Sequence, residues 1–131
     1  MPTPHSFDYA VLRVVPRVER EEFINAGVIL YCRTRRFLAA HLALDPARLL
    51  ALDPAADLPE ITRHLAAIPR ICAGGPEAGP IGLLTQSERF YWLVAPRSTM
   101  LQPSPVHSGL CTDPAAALAG LVGELVAVVS S

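Results

Sequence analysis

Three apolar runs joined by short polar connections constrain this chain more than any other feature. Residues 7–15 (FDYAVLRVV) and 24–32 (INAGVILYC) carry Val, Ile, Tyr and Phe, residue types that suit a pleated, half-buried surface. In the first run Phe7, Tyr9, Val11, Arg13 and Val15 share one face, and Asp8, Ala10, Leu12 and Val14 share the other. Pro16 ends it, because proline has no N–H for a ladder. The charged VEREEF connection (18–23) reads as a solvated loop or one helical turn. Gly27 inside the second run predicts a bulge or a close backbone approach. Only RTRR (33–36) separates the second run from the third, FLAAHLAL (37–44). A connection of about four residues pairs two strands as an antiparallel hairpin. The three runs therefore predict an N-terminal three-stranded meander. Arg33, Arg35 and Arg36 lie at the hairpin tip, as a solvated turn or as a contact for an anionic partner.

Helix signals follow. Asp45-Pro46, Asp53-Pro54 and Asp113-Pro114 each put a capping carboxylate before a proline suited to the first helical position. The first starts a helix of about two turns, ARLLAL, and the second ends it. Asp57 with Glu60 matches a capping box, after which Leu58, Ile61, Leu65, Ile68 and Cys72 form a stripe at helical spacing. Pro69 is expected to kink or end that helix. His64 falls opposite the stripe, near Arg63 and Glu60, and faces solvent. The third signal starts a last helix whose buried face is Leu118, Leu121, Val122, Leu125 and Val129. The Gly- and Pro-rich segment 72–82 (CAGGPEAGPIG) is a loop; it lacks the GxxxxGK[ST] pattern and the preceding strand of a phosphate loop. The sum is one α+β domain over residues 1–131: a small antiparallel sheet with helices packed on one face.

At 131 residues the chain buries roughly 65–70% of its unfolded surface, enough to need no disulfide or metal staple. Three cysteines, Cys32, Cys72 and Cys111, stand forty and thirty-nine residues apart in apolar surroundings with no CxxC, so they read as buried or half-buried free thiols. No cofactor or metal site is expected. The formal net charge is −1, and all eleven basic residues are Arg. Codon bias in a GC-rich genome or selection for guanidinium chemistry would each explain the missing lysines. A basic excess, which nonspecific nucleic-acid binding requires, is lacking. No apolar run reaches the ~18 residues of a membrane span. The N-terminus shows no basic segment followed by an apolar core, which leaves the cytoplasm as the expected compartment.

Chemistry concentrates in residues 88–107, ERFYWLVAPRSTMLQPSPVH. The stretch holds the only Trp (Trp92), two arginines eight apart (Arg89, Arg97) and a cluster of Ser, Thr, Gln and His. Residues 83–94 carry both a helical and a strand pattern; a helix is favoured. On it, Glu88 and Arg89 lie one turn before Trp92 on its face, where an Arg–Trp contact is feasible. Three prolines make 95–111 extended or looped, with short edge strands around 99–102 and 107–111. A loop this long in a compact domain is often functional.

The segments YAVLRVVPRVEREEFINAGVILYC and ERFYWLVAPRSTMLQPSPVHSGLCTDPAAAL together resemble the bacterial family known as domain of unknown function (DUF) 3037. The resemblance spans nearly the whole chain and implies no established activity. Family members are often encoded beside a HipA-like kinase protein, so such a kinase is the implied partner. The family pattern singles out Glu22, Phe23, Asn25 and Gly27, and Glu88, Arg89, Trp92, Arg97, Ser98, Gln102, Ser104, His107 and Gly109. Tyr91 departs from it, standing where Arg is common.

Two functions fit these residues. A non-catalytic binding or accessory protein would use Phe90, Tyr91 and Trp92 beside arginines, the composition of an interface hot spot. Exposure of Trp92 would favour it. An enzyme or sensor acting on a phosphate-bearing ligand would use Arg89 and Arg97 as forked donors, hydroxyls from Ser98, Thr99 and Ser104, and His107 as a group that titrates near neutrality. Metal-assisted hydrolysis has only Glu22 and Glu88 to call on, and Ser104 with His107 lacks the GxSxG of a nucleophile elbow. A third, purely structural account pairs Arg97 with Glu88 or Glu22 and lets Asn25, Ser98 and Gln102 satisfy the loop's backbone.

Overall fold

A computed structural model describes residues 3–97 and 99–127. The meander is present: strands β1 (His5–Val14), β2 (Ile24–Cys32) and β3 (Phe37–Leu42) pair antiparallel in chain order. VER forms a 3-10 turn (Val18–Arg20), and RTR forms another (Arg33–Arg35) that closes with Arg36 left-handed at φ 49°. Helices α1 (Pro46–Leu52) and α2 (Leu58–Ala73) follow, then two 3-10 turns, α3 (Gln86–Leu93), the short strands β4 (Leu101–Pro103) and β5 (His107–Cys111), and α4 (Pro114–Leu125). The three Asp-Pro signals behave as their chemistry dictates. Asp45 and Asp113 accept the N–H groups of the first turns of α1 and α4, and Asp53 closes α1.

Gly27 sits at a bulge: Leu12 pairs with Gly27 but Arg13 pairs with Asn25, so Ala26 is the extra residue. A Cβ on Gly27 would stand 2.7 Å from the His41 carbonyl oxygen. β3 therefore approaches too closely for any side chain there.

The sheet runs β3-β2-β1, and the far edge of β1 is shared by β4 and β5. β4 pairs with Leu12–Val14 and β5 with His5–Tyr9. Between Leu12↔Pro103 and Tyr9↔His107, β1 has two residues and the edge has three. Prolines at 103 and 105 explain the break, since neither can donate to the ladder.

Each face of the sheet has its own core. Leu12, Val14, Ile29 and Tyr31 pack with Leu49 of α1, Ile61, Leu65, Ile68, Ile71 and Cys72 of α2, and Phe90 and Leu93 of α3. Phe7, Val11, Val28, Leu30 and Cys32 pack with Leu118 and Val122 of α4 and with Val126. The one-face expectation for the helices thus holds for α1–α3, while α4 covers the opposite face. The reason is visible in β2, which is apolar on both sides over Val28–Cys32 and needs two covers. In α4, Leu125 is 37% exposed, outside the expected buried face, and Val129 lies outside the described residues.

Pro69 does not end α2, which continues to Ala73. Proline removes one donor, but Ile71 and Cys72 beyond it are buried, and tertiary burial outweighs the local cost. No helix among the described residues is long and apolar enough to cross a membrane.

Candidate functional site

The focal segment begins with a well-made helix. Thr85 accepts the Glu88 N–H at 3.2 Å, and the Glu88 carboxylate accepts the Thr85 N–H at 3.0 Å, a reciprocal capping box. The bonds from Thr85 hold the Glu88 carboxyl below its ordinary pKa. Glu88 is thus committed to starting α3.

Arg89 turns inward rather than towards Trp92. Its guanidinium donates to the carbonyls of Ile71 (2.9 Å) and Cys72 (2.7 Å), and its Nε to that of Leu84 (3.1 Å). The Ile71 and Cys72 carbonyls belong to the last turn of α2 and lack intrahelical partners. Gly74, at φ 79°, lies directly over the guanidinium, where a Cβ would come within 2.5 Å of it. The Cys72 thiol nearby is pushed up to about 12 by burial, with the Arg89 charge partly opposing. Cys32 is buried too, and Cys111 is half-buried.

The arginine that stacks on Trp92 is Arg97, with its guanidinium carbon 4.5 Å from the ring centroid. It donates to the Leu93 carbonyl (2.9 Å) and the Trp92 carbonyl (2.7 Å), closing the C-terminal end of α3. Burial holds its pKa below the ordinary arginine value. Neither Glu88 nor Glu22 pairs with it: Glu22 forms an exposed ion pair with Arg20.

The remaining candidates divide between structure and surface. Asn25 donates to the Leu125 carbonyl at 2.9 Å, at the end of α4. Ser104 is buried and splices the broken edge: its hydroxyl accepts the Val11 N–H and its N–H donates to the Val11 carbonyl, both at 2.8 Å. His107 is exposed, stacked against Tyr9 with ring centroids 5.5 Å apart, on the α4 face of the sheet. Gly109 lies under the Phe7 ring. Ser98 falls outside the described residues. Arg89, Arg97 and His107 therefore do not meet. Arg89 is spent on carbonyls within the α2–α3 layer, and His107 lies across the sheet from it.

Two hollows flank Arg97 and Gln102. One is a groove of about 470 Å³ between α2, α3 and β4, walled chiefly by Ile68, Ile71, Leu93, Met100 and Leu101 with Trp92 at its edge. Trp92 is 41% exposed and Tyr91 63%. His64, paired with Glu60 at 3.5 Å, stands at the rim. The other hollow, of about 380 Å³, is bounded by Arg13, Val15, Val18, Glu21, Phe23, Arg97 and Gln102. Arg13 lies over the Phe23 ring at 4.4 Å. Gln102 pairs with Arg13 in the ladder and donates to the Thr99 carbonyl. Reading the sequence overlooked Arg13 as a site residue. The available signal was a lone charge in an otherwise apolar strand face. Among the described residues, no group of three or more His, Cys, Asp or Glu is placed to hold a metal ion.

A family model described as protein of unknown function (DUF3037) matches residues 9–126, from within β1 to just past the end of α4. The chain belongs to the DUF3037 family. No curated protein and no solved structure matches it. Within this DUF3037 chain, most of the polar residues singled out by the family pattern bind backbone groups: Glu88 and Arg97 at α3, Arg89 at α2, Asn25 at α4 and Ser104 at the sheet edge. Trp92 and Phe23 are half-exposed aromatics roofed by arginines.

Proposed function

We propose that this DUF3037 chain is a non-catalytic accessory protein that holds an apolar segment of a partner polypeptide in the groove between α2, α3 and β4. The observation that carries this reading is the groove itself: about 470 Å³, walled by Ile68, Ile71, Leu93, Met100 and Leu101, with half-exposed Trp92 on its margin. A concave apolar wall beside an exposed tryptophan and an arginine has the makeup of an interface hot spot. The titratable groups that line it, His64 and Arg97, are occupied by Glu60 and by backbone carbonyls, so the groove favours burial of apolar surface over proton transfer. The partner proposed is the HipA-like kinase protein that the family resemblance implies.

The test is co-purification of the tagged chain with that kinase protein. Retention by the wild type, lost in Trp92→Ala and in Ile68→Glu but kept in Leu110→Ala, supports the reading. Leu110 is 73% exposed on β5 and does not line the groove. Equal retention by all four proteins sinks it.

A further inference from the structure

Arg13 presents a problem that the fold does not solve. It stands one residue before the end of β1 with its guanidinium on the Phe23 ring. Its Nε is buried and has no hydrogen-bond partner among the described residues. A buried donor without a partner is uncommon and destabilising, and one belonging to a cation more so. The ion pairs among the described residues are Arg17–Asp53, Arg20–Glu22 and His64–Glu60; none engages Arg13 or Arg97. Both arginines line the same hollow of about 380 Å³, and each is backed by an aromatic face that fixes the plane of its fork.

We propose that this hollow is a binding site for a phosphate monoester, gripped between Arg13 and Arg97 with Gln102 beside them. The site is distinct from the partner groove, although Arg97 and Gln102 line both, and its test needs no partner protein. Charge selects the ligand. The hollow holds two guanidinium groups and one carboxylate, Glu21. A phosphate monoester carries about −1.5 to −2 near pH 7, with three acceptor oxygens to share between the Arg13 fork and the Arg97 N–H groups that the Leu93 and Trp92 carbonyls leave over. A carboxylate offers two oxygens and is satisfied by one fork. The volume exceeds what a phosphate group fills, and Val15, Val18 and Phe23 supply an apolar wall for the organic part of the ester. Glu21 is the built-in competitor, since its charge opposes any anion entering the hollow.

The full chain is titrated by calorimetry with inorganic phosphate, O-phosphoserine and, as a control for charge alone, sulfate. Saturable binding of phosphate and phosphoserine, tighter than sulfate, is expected. Arg13→Gln and Arg97→Gln should each weaken it at least about tenfold. Glu21→Gln should tighten it, which keeps the test decisive if an arginine variant folds poorly. No saturable binding of either phosphate probe overturns the proposal. So does an affinity unchanged in both Arg13→Gln and Glu21→Gln. Binding of inorganic phosphate without phosphoserine overturns the assignment to an ester.

Discussion

At the scale of single residues, the polar positions of residues 88–107 separate into groups that complete the backbone and groups that remain available. Arg89 is the clearest of the first kind. Replacing it with Met removes the donors to Ile71, Cys72 and Leu84 while keeping most of the stem, and should cost on the order of 3 kcal/mol in urea unfolding. Arg89→Lys should cost less, because one ammonium can still reach some of these carbonyls. Its partner in the same layer predicts an alkaline weakness. The Cys72 thiol titrates at about 12 in the folded chain, against an ordinary 9.0. Its contribution to stability is therefore intact below pH 9, where both states are protonated. It is lost between 9 and 12, where the unfolded chain ionises and the folded one does not, at about 1.4 kcal/mol per pH unit. Urea midpoints at pH 8 and pH 10 should separate more in the wild type than in Cys72→Ala; equal separations refute the assignment. The sequence shows which residues can form charged hydrogen bonds, but not whether the acceptor is a ligand or a helix end. Arg89 and Arg97 look alike in a string of letters. Only their position relative to the ends of α2 and α3 tells their tasks apart.

At the scale of elements, local chemistry was readable wherever a cap, a proline or an alternation determined the outcome. The Asp-Pro starts, the meander, the bulge at Gly27 and the helix over Gln86–Leu93 all follow from such signals. Whether Pro69 ends its helix depends on burial beyond it, which no local rule contains. The edge of the sheet is an intermediate case. Prolines 103 and 105 announce a break, yet the repair by Ser104 requires knowing that Val11 lies opposite. Ser104→Ala leaves the Val11 N–H without its side-chain acceptor in a buried position, and should destabilise the chain by about 1–3 kcal/mol. The loss should be local as well as global. Hydrogen exchange at the Val11 amide should accelerate more than at Val28, its partner in β2. Uniform acceleration across both would mean that the hydroxyl acts only through overall stability.

At the scale of the whole molecule, the sheet separates two cores that do different work. The α1–α3 side carries the groove and the α4 side closes the opposite face, while the arginine-lined hollow lies by the β4 edge, where Arg13 and Val15 continue the β1 face of Phe7 and Val11. This division was hidden in the sequence because β2 is apolar on both faces, and alternation then says nothing about how many layers cover it. The same ambiguity set Arg89, Arg97 and His107 together on paper when the sheet holds His107 apart from the other two. The division makes Trp92, the only tryptophan, a reporter for one side alone. Leu118→Ala empties part of the α4-side core and should cost about 3 kcal/mol. Its native emission spectrum should nevertheless match the wild type, because Trp92 touches none of that core. Arg97→Gln removes the cation stacked on the indole and should shift the native emission even if stability changes little. A shift in native Leu118→Ala comparable to that in Arg97→Gln would show that the cores are mechanically coupled. The groove could then no longer be treated as a surface whose shape α1–α3 set by themselves.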